Sequence, residues 1–119
     1  MTKRLLLIAA LLALFVHKAS PGAIHATKFT GAGAVINLST GVPSGYSTVV
    51  HGFQLIAAST NAANAFWGDA SLTATTNGAV LPAGAGQFWP PQTPGGYDLA
   101  GVWIYVANSD VVYLGWEEF

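Results

Sequence analysis

Two things are scarce in this sequence: cysteine, which is absent, and charge. Without cysteine the chain has no disulfide framework, no thiol nucleophile and no thiolate metal site. Charged residues make up 8% of the 119 residues, against about 25% in ordinary soluble domains. Because 52% of the residues are hydrophobic, the surface is either largely covered by other chains or kept soluble by uncharged polar residues.

The few charges are sorted along the chain. The basic residues all lie in the first 28 positions and the acidic residues all lie from position 69 onward: Lys3, Arg4, Lys18 and Lys28, then Asp69, Asp98, Asp110, Glu117 and Glu118. From Phe29 to the end there is no cation to neutralise phosphates. The sequence therefore predicts that this part does not bind nucleic acid.

The amino-terminal segment is basic and then apolar. Leucine and alanine dominate residues 5–16, which favours a helix. Twelve helical residues span about 18 Å, less than the roughly 30 Å of a bilayer core. We predict an apolar helix over residues 1–20 that anchors through its large side chains, and a single domain over 21–119. The anchoring side chains are Leu5, Leu6, Leu7, Ile8, Leu11, Leu12, Leu14, Phe15 and Val16.

Two interpretations of this segment stay open. A basic start, a short apolar core and small residues are typical of a secretory signal peptide, with Ala26 as the candidate cleavage position. Alternatively the helix is retained, and a helix that is apolar all round must be buried in lipid or among other subunits.

The body of the chain is rich in turn residues and short β-prone runs. All 14 glycines and all six prolines lie at or beyond Pro21. We predict an all-β domain, a single small antiparallel β-sandwich of jelly-roll-like type. Gly52 indicates a bulge or bend within its run, and Asn77-Gly78 indicates a tight turn. The predicted strands cover residues 24–29, 34–38, 48–57, 65–68, 71–75, 79–81, 87–89 and 97–99, followed by a terminal pair.

The terminal pair consists of residues 102–107 and 111–116, separated by Asn-Ser-Asp. This pattern predicts a β-hairpin. Alternation along the first strand would place Val102, Ile104 and Val106 on one face, opposite Trp103 and Tyr105. Because neither face is polar, we expect one face against the core and the other against a partner.

The sequence contains few residues in patterns that indicate catalysis or metal binding. His51 could join Asp69, Asp98 or Asp110 in a hydrolase arrangement, but no nucleophile elbow supports this. The alternative is that His51 makes hydrogen bonds within a strand, and that the aspartates in turns bind nearby backbone. The histidines lack metal-ligand spacing. We therefore expect no catalytic site, no metal, no cofactor and no small-molecule ligand, and hence no enzyme.

The aromatic residues are the remaining candidates for a functional role. The chain has four tryptophans and four tyrosines, which could form core, a subunit interface or a platform for sugars. Trp103 and Tyr105 are the best interface candidates, because their strand neighbours can already fill the inner face. Tyr113 and Trp116 complete the predicted interface set.

Residues 46–116 resemble small β-sandwich virion proteins of tailed phages, of the decoration or minor-capsid kind. The shared pattern runs through STVVHGFQLIAAS (47–59), AFWGDASL (65–72), NGAVLPAGAGQFWP (77–90) and YDLAGVWIYVANSDVVYLGW (97–116). The resemblance implies a non-enzymatic virion component present in many copies, whose partners are other virion proteins and copies of itself. The apolar amino-terminal helix departs from the pattern and leaves a membrane-linked position open.

Three functions follow as hypotheses. The first is a phage structural protein, located in the virion, that holds neighbouring subunits together. The second is a secreted binding module for glycans or surfaces, exported by a cleaved signal peptide. The third is a hydrolase that uses His51 and an aspartate.

Overall fold

The computed structural model describes residues 22–119, and the predicted helix over residues 1–20 lies outside the described residues with all of its anchoring side chains. The described part contains no α-helix and consists of ten β-strands and short turns. Within this range no helix has both the length and the apolar character needed to cross a membrane. The prediction of an all-β domain is therefore confirmed for the described residues.

The strands are short, as the frequent turn residues predict. Their bounds are β1 Ile24–Thr30, β2 Ala34–Asn37, β3 Val49–Val50, β4 Gly52–Ala57, β5 Ala65–Gly68, β6 Ala79–Leu81, β7 Gly86–Trp89, β8 Tyr97–Asp98, β9 Trp103–Val106 and β10 Val111–Glu117. Single 3-10 turns lie at Leu38–Gly41 and Leu99–Gly101, each capped by the side chain of the preceding residue, Asn37 or Asp98.

The strands form two four-stranded sheets and one small pair, all antiparallel. Sheet A has the order β1-β10-β4-β7, sheet B has the order β2-β9-β5-β6, and β3 pairs with β8. Neighbours in the chain often lie in different sheets: β1 and β2, β4 and β5, and β9 and β10 each divide between sheet A and sheet B.

Both sheets contribute to one buried cluster. Side chains alternate between the two faces of a strand, so every second residue faces the core, including Leu55 and Leu114 from sheet A and Ile104 and Val106 from sheet B, each at most 1% exposed. The Trp67 ring of sheet B meets the Trp89 ring of sheet A edge-on, with centroids 4.8 Å apart.

Most predicted strands are present. The predicted break near Gly52 is confirmed: β3 ends at Val50, β4 begins at Gly52, and the two pair with different sheets. A Cβ at Gly52 would lie 2.9 Å from the backbone nitrogen of Pro91, so the bend needs glycine. Residues 71–75 are not a strand, because the backbone of Thr73 bonds that of Thr76 and closes a local turn.

The predicted terminal hairpin is wrong. β9 and β10 lie in different sheets, so the Asn-Ser-Asp break is a crossing between sheets. Distant residues hold this crossing in place: the Asn61 side chain makes two 2.8 Å hydrogen bonds with the backbone of Val111, and Gly31 N donates to Asp110 O at 2.8 Å. A Cβ at Gly31 would lie 2.1 Å from Ala107 O, so only glycine lets the two segments approach.

Candidate interaction surfaces

The outer face of sheet B carries an apolar row that crosses all four strands. The strand register pairs Val35 with Tyr105, Tyr105 with Phe66, and Phe66 with Val80. The rings of Phe66 and Tyr105 lie with centroids 6.5 Å apart. Three of these side chains are half-buried by their neighbours, and Val80, at the edge, is 52% exposed.

A second row on the same face contains Trp103. Its register partners are Asn37 and Gly68, so the indole stands between an amide and a residue without a side chain. Trp103 and Tyr105 are half-buried while Ile104 and Val106 are buried, which confirms the predicted division of β9 into two faces. No strand of sheet B contains a charged residue.

The outer face of sheet A is different. Two neighbouring rows of residues run across its four strands. One row contains Lys28, Tyr113, Ile56 and Gly86, and the next row contains Ala26, Gly115, Gln54 and Phe88. Phe88 is 60% exposed and Tyr113 is 45% exposed. A groove of about 250 Å³ is lined by Gly115 and Gly52, with Ile24, Phe88, Pro91 and Glu117 among its other lining residues.

The predicted interface set therefore divides among three places. Trp103 and Tyr105 lie on the outer face of sheet B, and Tyr113 lies on the outer face of sheet A. Trp116 lies in the core, 2% exposed, so its prediction as an interface residue is wrong. It shares the inner face with Val112 and Leu114, and its ring stacks on His25 with centroids 5.3 Å apart.

Sequence reasoning missed other exposed apolar residues. Ile24, Ile56, Val80 and Phe88 stand on outer faces, between 39% and 79% exposed. The signal that could have found them was already present: alternation in the 52–57 and 79–81 runs leaves an apolar residue on each side of the strand. A strand that is apolar on both faces requires both faces to be shielded from water by other residues.

His51 links two parts of the chain near the groove. Its Nε2 lies 2.7 Å from Thr93 Oγ1 and its Nδ1 lies 3.3 Å from Glu117 Oε1. No aspartate takes part, so the hydrolase arrangement of His51 with an aspartate does not form, and His51 makes structural hydrogen bonds as the alternative expects. A hydroxyl, an imidazole and a carboxylate do stand in line, but the carboxylate side chain is 30% exposed, whereas the acid of a catalytic triad is buried. The contacts fasten the loop after β7 to β10.

The aspartates bind backbone groups, as predicted for turn residues. Asp98 Oδ1 accepts a hydrogen bond from Ala100 N at 3.0 Å. Asp69 accepts from the hydroxyl and the backbone N–H of Ser71, and these hydrogen bonds lower the pKa of the Asp69 carboxyl.

Asp110 is the only buried charged residue in the described part of the chain, 7% exposed. Its two carboxylate oxygens accept hydrogen bonds from the backbone N–H groups of Ala62 and Ala63, at 2.9 and 3.0 Å. Between residues 22 and 119 there is no cluster of three or more metal-ligating side chains.

Ala26 is poorly placed for cleavage. It lies in the middle of β1, with Gly115 of β10 as its register partner. Cleavage after Ala26 would remove Ile24, His25 and Ala26 from the strand and leave the end of β10 without its neighbour on that side. The folded domain thus disfavours this position, and any processing compatible with a complete β1 occurs before Ile24.

Comparisons with protein-family models, with curated proteins and with solved structures found no match to this chain. The likeness to phage virion proteins therefore stays a prediction.

Proposed function

We propose that this chain is a non-enzymatic structural component of a phage particle, of the decoration or minor-capsid kind, and that the outer face of sheet B holds neighbouring subunits together. The observation that supports the proposal is the apolar row on this face, which consists of Val35, Tyr105, Phe66 and Val80. Residues 22–119 contain one lysine and five acids, a formal charge of 1 − 5 = −4. Because like charges at a contact are costly, a face whose strands carry no charge suits contact between copies.

We interpret the two sheets as the layers of a jelly-roll-like sandwich. The orders β1-β10-β4-β7 and β2-β9-β5-β6 and the shared core support this arrangement. Double-sheet jelly rolls of eight strands occur in viral capsid proteins and in lectins. Since a fold alone does not specify a function, the proposal depends on the exposed face and not on the topology.

The size of the face predicts how it works. Four strands at about 4.8 Å and four residues at about 3.4 Å give a footprint of roughly 260 Å². A standard interface buries about 800 Å² on each partner. One such contact is therefore weak, and the face acts through repetition around a symmetric particle, where linked contacts reinforce one another.

The test is mass spectrometry of virions from the host that produces this chain, purified by density gradient. We expect the chain in the particle at a fixed ratio to the major capsid protein, and we expect Val80→Asp to lower that ratio. Thr75→Asp adds the same charge on an exposed loop and is the matched control. Absence of the chain from particles would contradict the proposal.

A second candidate is a secreted module that binds glycans. The exposed rings of Phe88 and Tyr113 beside the groove on sheet A favour it, since aromatic rings can stack on sugar faces. Two measurements separate it from the first proposal. Mass spectrometry should find a mature chain that has lost its leader and starts shortly before Ile24, whereas an intact amino terminus would count against this candidate. A glycan array should show binding that Phe88→Ala removes.

A further inference from the structure

We propose that the outer face of sheet A is a second interaction surface, on which two copies of this chain pair about a two-fold axis that runs across the strands. This inference concerns the opposite side of the domain from sheet B. It goes beyond the proposed function and holds whether or not the chain is part of a virion.

The face has three rows that run across the strands. The first contains Ile24, Glu117 and Gly52, the middle row contains Ala26, Gly115, Gln54 and Phe88, and the third contains Lys28, Tyr113, Ile56 and Gly86. A two-fold axis along the middle row sets the first row of one copy against the third row of the other.

The first and third rows differ in shape. The third row projects Tyr113 and Ile56, which are 45% and 39% exposed. The first row and the adjacent Gly115 line the groove, in which the Gln54 side chain lies beside Gly115 and the backbone of Pro91 lies beside Gly52. In the paired arrangement Tyr113 of each copy faces Glu117 of the other, which is a wall of the groove, so one operation places a ring at the edge of both grooves.

The rows are complementary in charge. Lys28 is the only lysine or arginine in residues 22–119, and no ion pair within the described part of the chain uses it. Its Cα partner across β10 is Tyr113, two positions from Gly115 and four from Glu117. The same axis sets Lys28 of one copy opposite Ile24 of the other, one strand from Glu117, whose carboxylate also lies 3.3 Å from His51 Nδ1 of its own chain. This arrangement occurs twice in each pair.

The available area argues for a weak pair. Four strands at about 4.8 Å and six residues at about 3.4 Å give a footprint of roughly 400 Å², half of a standard partner's share. With sheet B on the other side, each chain has two separate contacts. Association therefore continues past the dimer, because every dimer formed through one face leaves the other face uncovered.

Charge reversal tests the pairing in the full chain by sedimentation velocity over a range of concentrations. We expect Lys28→Glu alone and Glu117→Lys alone each to weaken association at least about tenfold. We expect an equimolar mixture of the two variants to regain it, because both ion pairs re-form between unlike chains. Away from the face, Asp69→Lys matches the charge change of Glu117→Lys, and Thr75→Glu combined with Thr73→Glu matches that of Lys28→Glu. The amino-terminal segment is common to all variants.

Cross-linking tests the geometry. The chain has no cysteine, so a single introduced thiol is unambiguous. Ala26→Cys lies in the middle row and should give covalent dimers with a thiol-specific linker of about 10 Å, the spacing of stacked sheets. Thr75→Cys should not give dimers.

The proposal is overturned if the mixture of charge variants associates no better than its components, or if Ala26→Cys gives no dimer. It is also overturned if Phe88→Ala abolishes glycan binding while association is unchanged. Failure here leaves the virion proposal intact, because that proposal is tested at Val80 on the opposite face.

Discussion

The outer faces of the two sheets share one alternation rule but differ in what they expose. Sheet B presents an apolar row with Trp103 beside it and no charge in its strands. Sheet A presents a groove between projecting apolar side chains, with Lys28 and Glu117 in its outer rows. Burial of one side of each strand builds the core, and the residues left on the other side decide what kind of contact each face can make.

Trp116→Ala should have the largest effect, because it removes a ring from the core on which both faces depend. We expect a loss of about 3–5 kcal/mol in the free energy of unfolding, measured by denaturant titration. Trp116→Phe is the control. The indole Nε1 is buried without a hydrogen-bond partner among the described residues, so we expect phenylalanine to cost much less. Equal losses would show that the indole N–H matters.

Asp110→Ala should rank second, because it acts on the crossing that separates β9 from β10. The change removes the charged acceptor of two part-buried hydrogen bonds from the N–H groups of Ala62 and Ala63, at a cost of about 1–3 kcal/mol. Thermal unfolding measures it. Asp69→Ala, on an exposed loop, should shift stability by less than about 0.5 kcal/mol. A small effect at Asp110 would mean that water replaces the carboxylate.

Tyr105→Ala sharpens the contrast between stability and assembly on sheet B. The side chain is half-buried, so we expect a loss of about 1–2 kcal/mol in stability together with a severalfold drop in incorporation into particles. Trp103→Ala should behave alike. The decrease in incorporation is compared with the decrease in the fraction of folded protein. If the two decreases are equal, these residues only pack within the domain and the interface assignment fails.

Tyr113→Ala should have the smallest effect on folding, below about 1 kcal/mol, since the ring is 45% exposed. Its effect should instead be seen in sedimentation, as weaker pairing through sheet A. Sheet B should be unaffected, so incorporation measured in parallel with Val80→Asp separates the two faces. A large loss of stability would place Tyr113 among the structural residues.

The strands were predictable because local pattern and turn residues decide them. β5 and β6 match their predicted bounds, and Ile104 and Val106 face the core as alternation requires. The residues of β10 were harder. Both of its faces are apolar, so the sequence does not show which one is inner, and the predicted interface set contains one residue from each face, Tyr113 and Trp116.

The crossing after β9 could not be predicted from the residues around it. An Asn-Ser-Asp break between two apolar strands is compatible with a hairpin, and Ser109 does adopt a positive φ of 70°. The outcome depends on Asn61, some 50 residues earlier, and on the absence of a side chain at Gly31. Such long-range hydrogen bonds and close backbone approaches produce no periodic pattern of residues in the sequence.

The most direct measurement of the central claim is thiol labelling at position 80 in intact particles. In a chain without native cysteine, Val80→Cys and Thr75→Cys report separately on the outer face of sheet B and on an exposed loop. If neighbours cover sheet B, labelling of Val80→Cys is slow in particles and fast in released chains, while Thr75→Cys labels quickly in both. Equal and rapid labelling of Val80→Cys in particles and in released chains would contradict the account.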